Sequence, residues 1–178
     1  MSEPSTNSPE SAVIRRIDAA RWLRCRPKLL AFCMHHGGGR ITKNALEWLA
    51  QASPAQVDAP GAAVYAAWTA DGRLAGVSAA SGYGDDASVV VVRPDCRGQR
   101  LGERLLRAII SELGEFRCCV AADNLSSLRS CFRAGMLAYE VFVGPTGKTT
   151  FRLKAASDRT PGSRGRSYLA QEKQVKML

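Results

Sequence analysis

The sequence is short of negative charge, of aromatic residues and of long apolar runs, and each shortage narrows the reading. Its 178 residues hold 16 Asp and Glu against 25 Lys and Arg, a formal net charge of +9. Such a balance favours negatively charged partners and disfavours a polycationic one. No stretch approaches the roughly 18 consecutive apolar residues of a membrane-spanning helix. The opening MSEPSTNSPES is acidic and rich in Ser and Pro rather than basic and then apolar, so no secretory leader is expected and the cytoplasm is the expected address. Six cysteines are present but no C-x-x-C pair, and Cys118 and Cys119 are adjacent in a strand-like run. Reduced, mostly buried thiols and no metal site follow. No G-x-G-x-x-G follows a strand, which removes a dinucleotide site. The Gly-Lys-Thr of VFVGPTGKTTF lacks the glycine five positions before Gly147, where Phe142 stands. The β-forming TTFRL follows it, so it reads as a hairpin turn. The tryptophans Trp22, Trp48 and Trp68 lie on apolar faces and read as core rather than as platforms for stacking bases.

What is present is an ordinary globular composition, 46% apolar and 23% charged, sufficient for one domain with a core. The sequence divides into a flexible leader over 1–12, a folded domain over 13–155 and a basic tail over 156–178. AVIRRID reads as a first strand. Ala19 to His36 is helical in pattern, with a break expected at Pro27, and HGGGR ends it, with His35 and His36 as a cationic cap. TKNALEWLAQA is a second helix capped by Thr42. From Gly61 the period becomes extended. AAVYAAWTA and LAGVSAASGYG flank the turn DGR, and ASVVVVRP gives a third successive antiparallel strand. Leu101 to Leu113 is a helix with one apolar face, FRCCVAAD a buried strand, NLSSLRSCFRAG a helix from about Asn124 to Gly135, and MLAYEVFVG with TTFRLKA a closing hairpin. The order predicts an α/β fold: a mixed, mostly antiparallel sheet of about seven strands with helices on both faces.

The chemistry concentrates where the valine strand runs into RPDCRGQRLG. A strand, a glycine turn and a helix start converge there. Unpaired backbone N–H groups meet the positive end of the helix dipole, Gly98 and Gly102 let a ligand approach the main chain, and Arg97 and Arg100 add charge. This arrangement suits a phosphate.

RGQRLG resembles the R-x-x-G-x-G/A acyl-CoA pyrophosphate signature of the GNAT acyltransferases, and DNLSSLRSCFRAGM resembles their N-x-x-(S/A)-x-x-x-(Y)-x-x-x-G-(F/M) helix. Asn124, Ser127, Gly135 and Met136 fall on matching positions. Arg100 stands where the first motif usually has glycine, and Cys131 where the second has tyrosine. Element order matches too, so the resemblance spans about Val13 to Lys154. It implies a GNAT-like fold and transfer of an acetyl group from acetyl-CoA, as cosubstrate, directly to an amine. The implied cofactor residues are Arg97, Gly98, Gln99, Arg100, Leu101, Gly102 and Glu103, with Asn124 and Ser127. Backbone N–H groups at Val91 and Val92 would meet the carbonyl oxygen, and Cys131 takes the position of the acid for the departing thiolate. An alkyl amine is mostly protonated at pH 7, so a base is expected, with Asp85, Asp86 and Glu140 as candidates.

The acceptor is open at this point: the basic ends fit an acidic protein or an aminoacyl-tRNA, and a homodimer is compatible with the sequence. Two other classes also fit the residues: a CoA-binding regulatory protein without turnover, suggested by Arg100 and Cys131, and a basic RNA-binding module whose turn holds backbone phosphate.

Overall fold

The computed structural model describes residues 12–156; the leader and basic tail read from the sequence fall outside this range except at Ala12 and Ala156. The chain runs β1 (Val13–Arg16), α1 (Ala19–His36), α2 (Lys43–Gln51), α3 (Pro54–Val57), β2 (Ala63–Trp68), β3 (Leu74–Ser81), β4 (Ala87–Val92), α4 (Leu101–Leu113), β5 (Glu115–Ala121), α5 (Leu125–Arg133), β6 (Leu137–Val143) and β7 (Thr149–Ala156). The mixed α/β reading is borne out, with antiparallel pairing throughout. The strands form two sheets, β1-β2-β3-β4 and β5-β7-β6, rather than one continuous sheet of seven. No ladder joins β4 to β5, and the gap between them is the main structural feature of the molecule.

Local sequence explains most boundaries. Asp18 caps α1 by accepting from Arg21 N–H at 3.0 Å, and Thr42 caps α2 by accepting from Ala45 N–H at 3.3 Å. Ser53 and Gln56 close a capping box around α3, a short helix that the sequence pattern did not announce. Gly114, with φ 78°, ends α4 in the left-handed region. The expected break at Pro27 is corrected: α1 passes through it as one helix of 18 residues. Pro27 is exposed, while Trp22, Leu29, Phe32 and Cys33 are buried along the opposite stripe, and that packing holds the helix across the missing backbone hydrogen bond.

The first sheet is covered on both faces. Val64, Ala66, Val77, Ala79, Val89 and Val91 pack with α1 and α2, as the amphipathic pattern predicts. Ala67, Ala75 and Ala80 from the other face pack beneath α4, with Leu101, Leu105, Leu106 and Ile109. Gly76 makes this close seating feasible, because a Cβ there would stand 2.8 Å from Leu105 Cδ1 and 3.2 Å from Val91 O. Trp22 is fully buried and its Nε1–H donates to Ala52 O at 2.7 Å, tying α1 to the end of α2. Among the described residues the second sheet is covered on one face, where Phe116, Cys118, Val120 and Leu153 meet α4 and α5.

Candidate active site

β4 and β5 are held together at one end and open at the other. At the closed end Gly84, with φ 97°, lies so near Arg117 O that no side chain fits there, and Arg117 Nε donates to Asp85 Oδ2 at 2.7 Å. At the open end stand the turn after β4, the C-terminus of α1 and the turn between β5 and α5.

The backbone of β4 decides what the gap can do. Arg93 N–H donates to Ala75 O at 2.9 Å, and the register continues with Val92 opposite Gly76 and Val91 opposite Val77. Hydrogen-bonded and non-bonded pairs alternate along an antiparallel ladder. Val91 and Val89 therefore turn their N–H and C=O groups to β3, and Val90 and Val92 turn theirs to the gap. Arg97 confirms the direction, since its Nε donates to Val92 O at 3.1 Å. Of the expected pair, Val92 faces the gap and Val91 faces β3, and Val90 is the neighbouring strand residue whose N–H turns to the gap. The strand was visible in the sequence, but its hydrogen-bonding phase needed the register.

After β4 a short 3₁₀ turn, Pro94–Cys96, leads to Arg97 and Gly98. Gly98 has φ 78° with open space where a Cβ would be, and Gln99 is half-buried. Arg100 follows at the N-cap of α4 with φ 58°, and no side chain caps this helix. The N–H groups of Leu101, Gly102 and Glu103 are therefore left for a ligand, at the positive end of a 13-residue helix. Leu101 buries its side chain in the core and offers only backbone. Gly102 lets α5 come close, since a Cβ there would stand 3.0 Å from Ser130 Oγ. Glu103 accepts from Arg107 Nε at 3.1 Å through one oxygen, while its Oε2 is buried without a hydrogen-bond partner among the described residues.

Arg97 also donates to His36 O at 3.3 Å, so it ties the end of α1 to the end of β4. Desolvation first, then the charges of His35, Arg93 and Arg97, hold His36 below its ordinary pKa, which leaves it neutral at pH 7. Across the mouth Asp123 accepts from Lys148 Nζ at 2.6 Å and from Arg40 Nη1 at 3.3 Å, and the lysine bond chiefly lowers its pKa. Asn124 Oδ1 accepts from Ser127 N–H at 3.4 Å, so that pair serves as the cap of α5 beside the gap.

The structure does not gather the other expected catalytic groups. Cys131 is 3% exposed and lies in the core, its Sγ 3.9 Å from Cys118 Sγ, as the reading of mostly buried thiols expects; it presents no exposed thiol at the position that the resemblance gave to the acid. A side chain as short as cysteine ends within the core at this helix position. The Cys131 sulfur and then burial raise the pKa of Cys118 well above the ordinary thiol range. Asp85 is paired to Arg117, and Glu140, on β6, accepts from Arg152 at 2.6 Å. Asp86 is exposed at the start of β4, at the closed end, with no cation within ion-pair distance among the described residues. These three carboxylates stand apart rather than as one cluster.

A split sheet with outward-facing amides on one edge, next to an uncapped helix start, defines the acyltransferase class of mixed α/β enzymes. The chain belongs to the acetyltransferase (GNAT) family, whose model matches residues 28–136. No curated protein sequence matches it. Among solved structures it is similar to a GCN5-related N-acetyltransferase from Kribbella flavida (18% identity, TM-score 0.62, 84% of this chain and 100% of that one). It is also similar to yncA from Salmonella typhimurium with its cofactor acetyl-CoA (19%, TM-score 0.59, 85% and 97%). A third is the spermidine N-acetyltransferase from Vibrio cholerae in complex with CoA and spermine (10%, TM-score 0.56, 83% and 96%). At these identities the likeness is one of fold.

Proposed function

We propose that the protein transfers an acetyl group from acetyl-CoA to an amine by direct aminolysis of the thioester. The observation that carries this reading is the pairing of the Val90 and Val92 amides at the open edge of β4 with the uncapped start of α4. A diphosphate fits the second feature. Three backbone donors and a helix dipole meet beside the ground that Gly98 leaves open, in a turn that also carries Arg97 and Arg100. An extended amide-bearing arm fits the first, because it can pair with β4 as a further strand would. Such an arm brings the thioester carbonyl under an N–H of β4, where a fixed donor meets the charge that develops on oxygen. The protein otherwise supplies alignment of the two reactants. The amine loses its proton to water or to a carboxylate, and Asp86 is the one of the three candidates without a cation partner among the described residues.

Arg97 gives a second reading a specific footing. Its guanidinium already bridges Val92 O and His36 O, so in this arrangement it closes the edge that the arm would use. A protein that binds CoA without turnover would keep that latch. Thermal unfolding with acetyl-CoA, CoA, ATP and no ligand tests the binding step. A ligand at about 100 times its dissociation constant adds roughly 2.7 kcal/mol, or about 5–10 °C for a chain of this size. A shift with acetyl-CoA and CoA but not ATP is expected. No shift with any of the three overturns both readings, and a shift without CoA release across a broad amine panel selects the second.

A further inference from the structure

We propose that Arg97 is a plug in the open edge of β4, and that it makes the site specific for a carrier that bears a diphosphate as well as an amide-bearing arm. The inference rests on the acetyltransferase reading above and names a specificity-determining residue of that site.

The guanidinium spans the edge. Its Nε donates to Val92 O at 3.1 Å and its Nη2 to His36 O at 3.3 Å. Val92 is the last residue of β4 and turns its N–H and C=O to the gap, so its carbonyl is one that an arm pairing with the strand would use. His36 is the last residue of α1, which packs on the face of Val89 and Val91, whereas α4 packs on the opposite face of the same sheet. Arg97 belongs to the turn that leads into α4, yet its side chain ends at the α1 layer. It thus lies across the passage from one face of the sheet to the other. An arm that pairs with Val92 has to displace it.

The hold is of a kind that a ligand can break. Two neutral backbone carbonyls bind Arg97, and among the described residues no carboxylate stands within ion-pair distance of it. Arg93, four residues earlier, is fixed by contrast. Its Nε donates to Asp95 Oδ1 at 2.6 Å and its Nη1 to Leu74 O at 3.0 Å, and its side chain is largely buried. Arg97 is exposed, and Gly98 beside it has φ 78° with open space where a Cβ would be, so nothing wedges the turn against a change. Displacing the plug costs free energy, and an arm alone must draw it from its own few contacts. A diphosphate at the uncapped start of α4 binds away from the edge and contributes energy that the displacement can use, as remote parts of a substrate do. A carrier without the diphosphate meets the same obstacle without that help.

The test measures, by calorimetry on the full chain, the binding of three probes: acetyl-CoA, S-acetylpantetheine, which has the arm without the diphosphate, and ADP, which has the diphosphate without the arm. Arg97→Gln is expected to tighten S-acetylpantetheine about tenfold, the size of one hydrogen bond to a charged group that no longer has to be displaced. ADP should not tighten. Arg97→Lys, which puts one nitrogen in place of the fork, should fall between the parent protein and Arg97→Gln. Arg97 is exposed, so both variants should fold, as thermal melting checks. Loss of a positive charge or of the shape of the turn weakens ligands, so a gain confined to the arm-bearing probe is not what a merely structural residue gives. The inference is overturned if S-acetylpantetheine gains nothing in Arg97→Gln, whether it binds both proteins equally or neither, or if ADP gains as much. Failure of acetyl-CoA to bind the parent protein would instead sink the acetyltransferase reading, and this inference with it.

Discussion

β3 and β6 are both strands inside hydrogen-bonded sheets, yet every residue of β3 but Ser81 is buried and every residue of β6 but Phe142 is exposed. β3 lies between α1 on one side and α4 on the other, and its sequence, LAGVSAAS, is made of residues small enough for both layers to close on it. β6 is an edge strand on which no helix of the described residues packs as a layer, and it leaves Leu137, Val141 and Val143 more than half exposed. The difference assigns the halves separate work. The first sheet is a rigid support that fixes where the β4 amides point, and the second presents an accessible surface to whatever approaches the gap.

That contrast is open to attack by substitution. Trp22→Ala should be the most damaging change, removing a fully buried indole and its bond to Ala52 O at a cost of about 3–5 kcal/mol, measured by denaturant unfolding. A cost under 1 kcal/mol would mean that the first sheet is not the stable half. Acid should come next, in two steps. Protonating His36 is unfavourable in the folded protein, so melting temperature should begin to fall as the pH drops below 6.5, its ordinary pKa, and His36→Gln should remove that step alone. The second step belongs to carboxylates. Ala19 N–H chiefly holds Asp58 below 3.8, as the Thr69 hydroxyl does Asp71, Arg93 does Asp95 and Lys148 does Asp123. Their stabilisation is complete above pH 3.8 and is lost as the pH falls through their lower folded values. A carboxylate step that begins above pH 4 would contradict these pairings. Arg100→Gly should change stability by no more than about 1 kcal/mol, because relief of the left-handed backbone and the added freedom of glycine oppose each other. Val143→Thr on β6 should be the mildest, within about 0.5 kcal/mol by thermal melting.

The sequence disclosed most of the fold because its local signals agree. Thr42 before α2, Gly135 after α5 and the DGR turn between β2 and β3 each act within a few residues, and the structure uses all three as expected. Pro27 misled because tertiary packing of Trp22 and Phe32 outweighs a single lost hydrogen bond. The division into two sheets was hidden because β4 and β5 both have strand character, and nothing local states that they do not pair. The glycine turn of the site was legible from spacing. The phase of the β4 amides was not, since it depends on Arg93 meeting Ala75. Arg100 falls between these cases: the sequence showed a departure from glycine, and the structure shows that glycine's conformation has been kept.

Gly76 carries a consequence for how this architecture tolerates variation. It lies in the sheet, beneath Leu105, on a strand that offers nothing to the gap itself. One methyl group added there would stand 2.8 Å from Leu105 Cδ1 and 3.2 Å from Val91 O, so the packing of α4 on the sheet would have to adjust while every residue of the glycine turn stayed unchanged. The two parts that the proposed reaction would join thus share a single vertical datum, and the smallest side chain in the alphabet lies at its base.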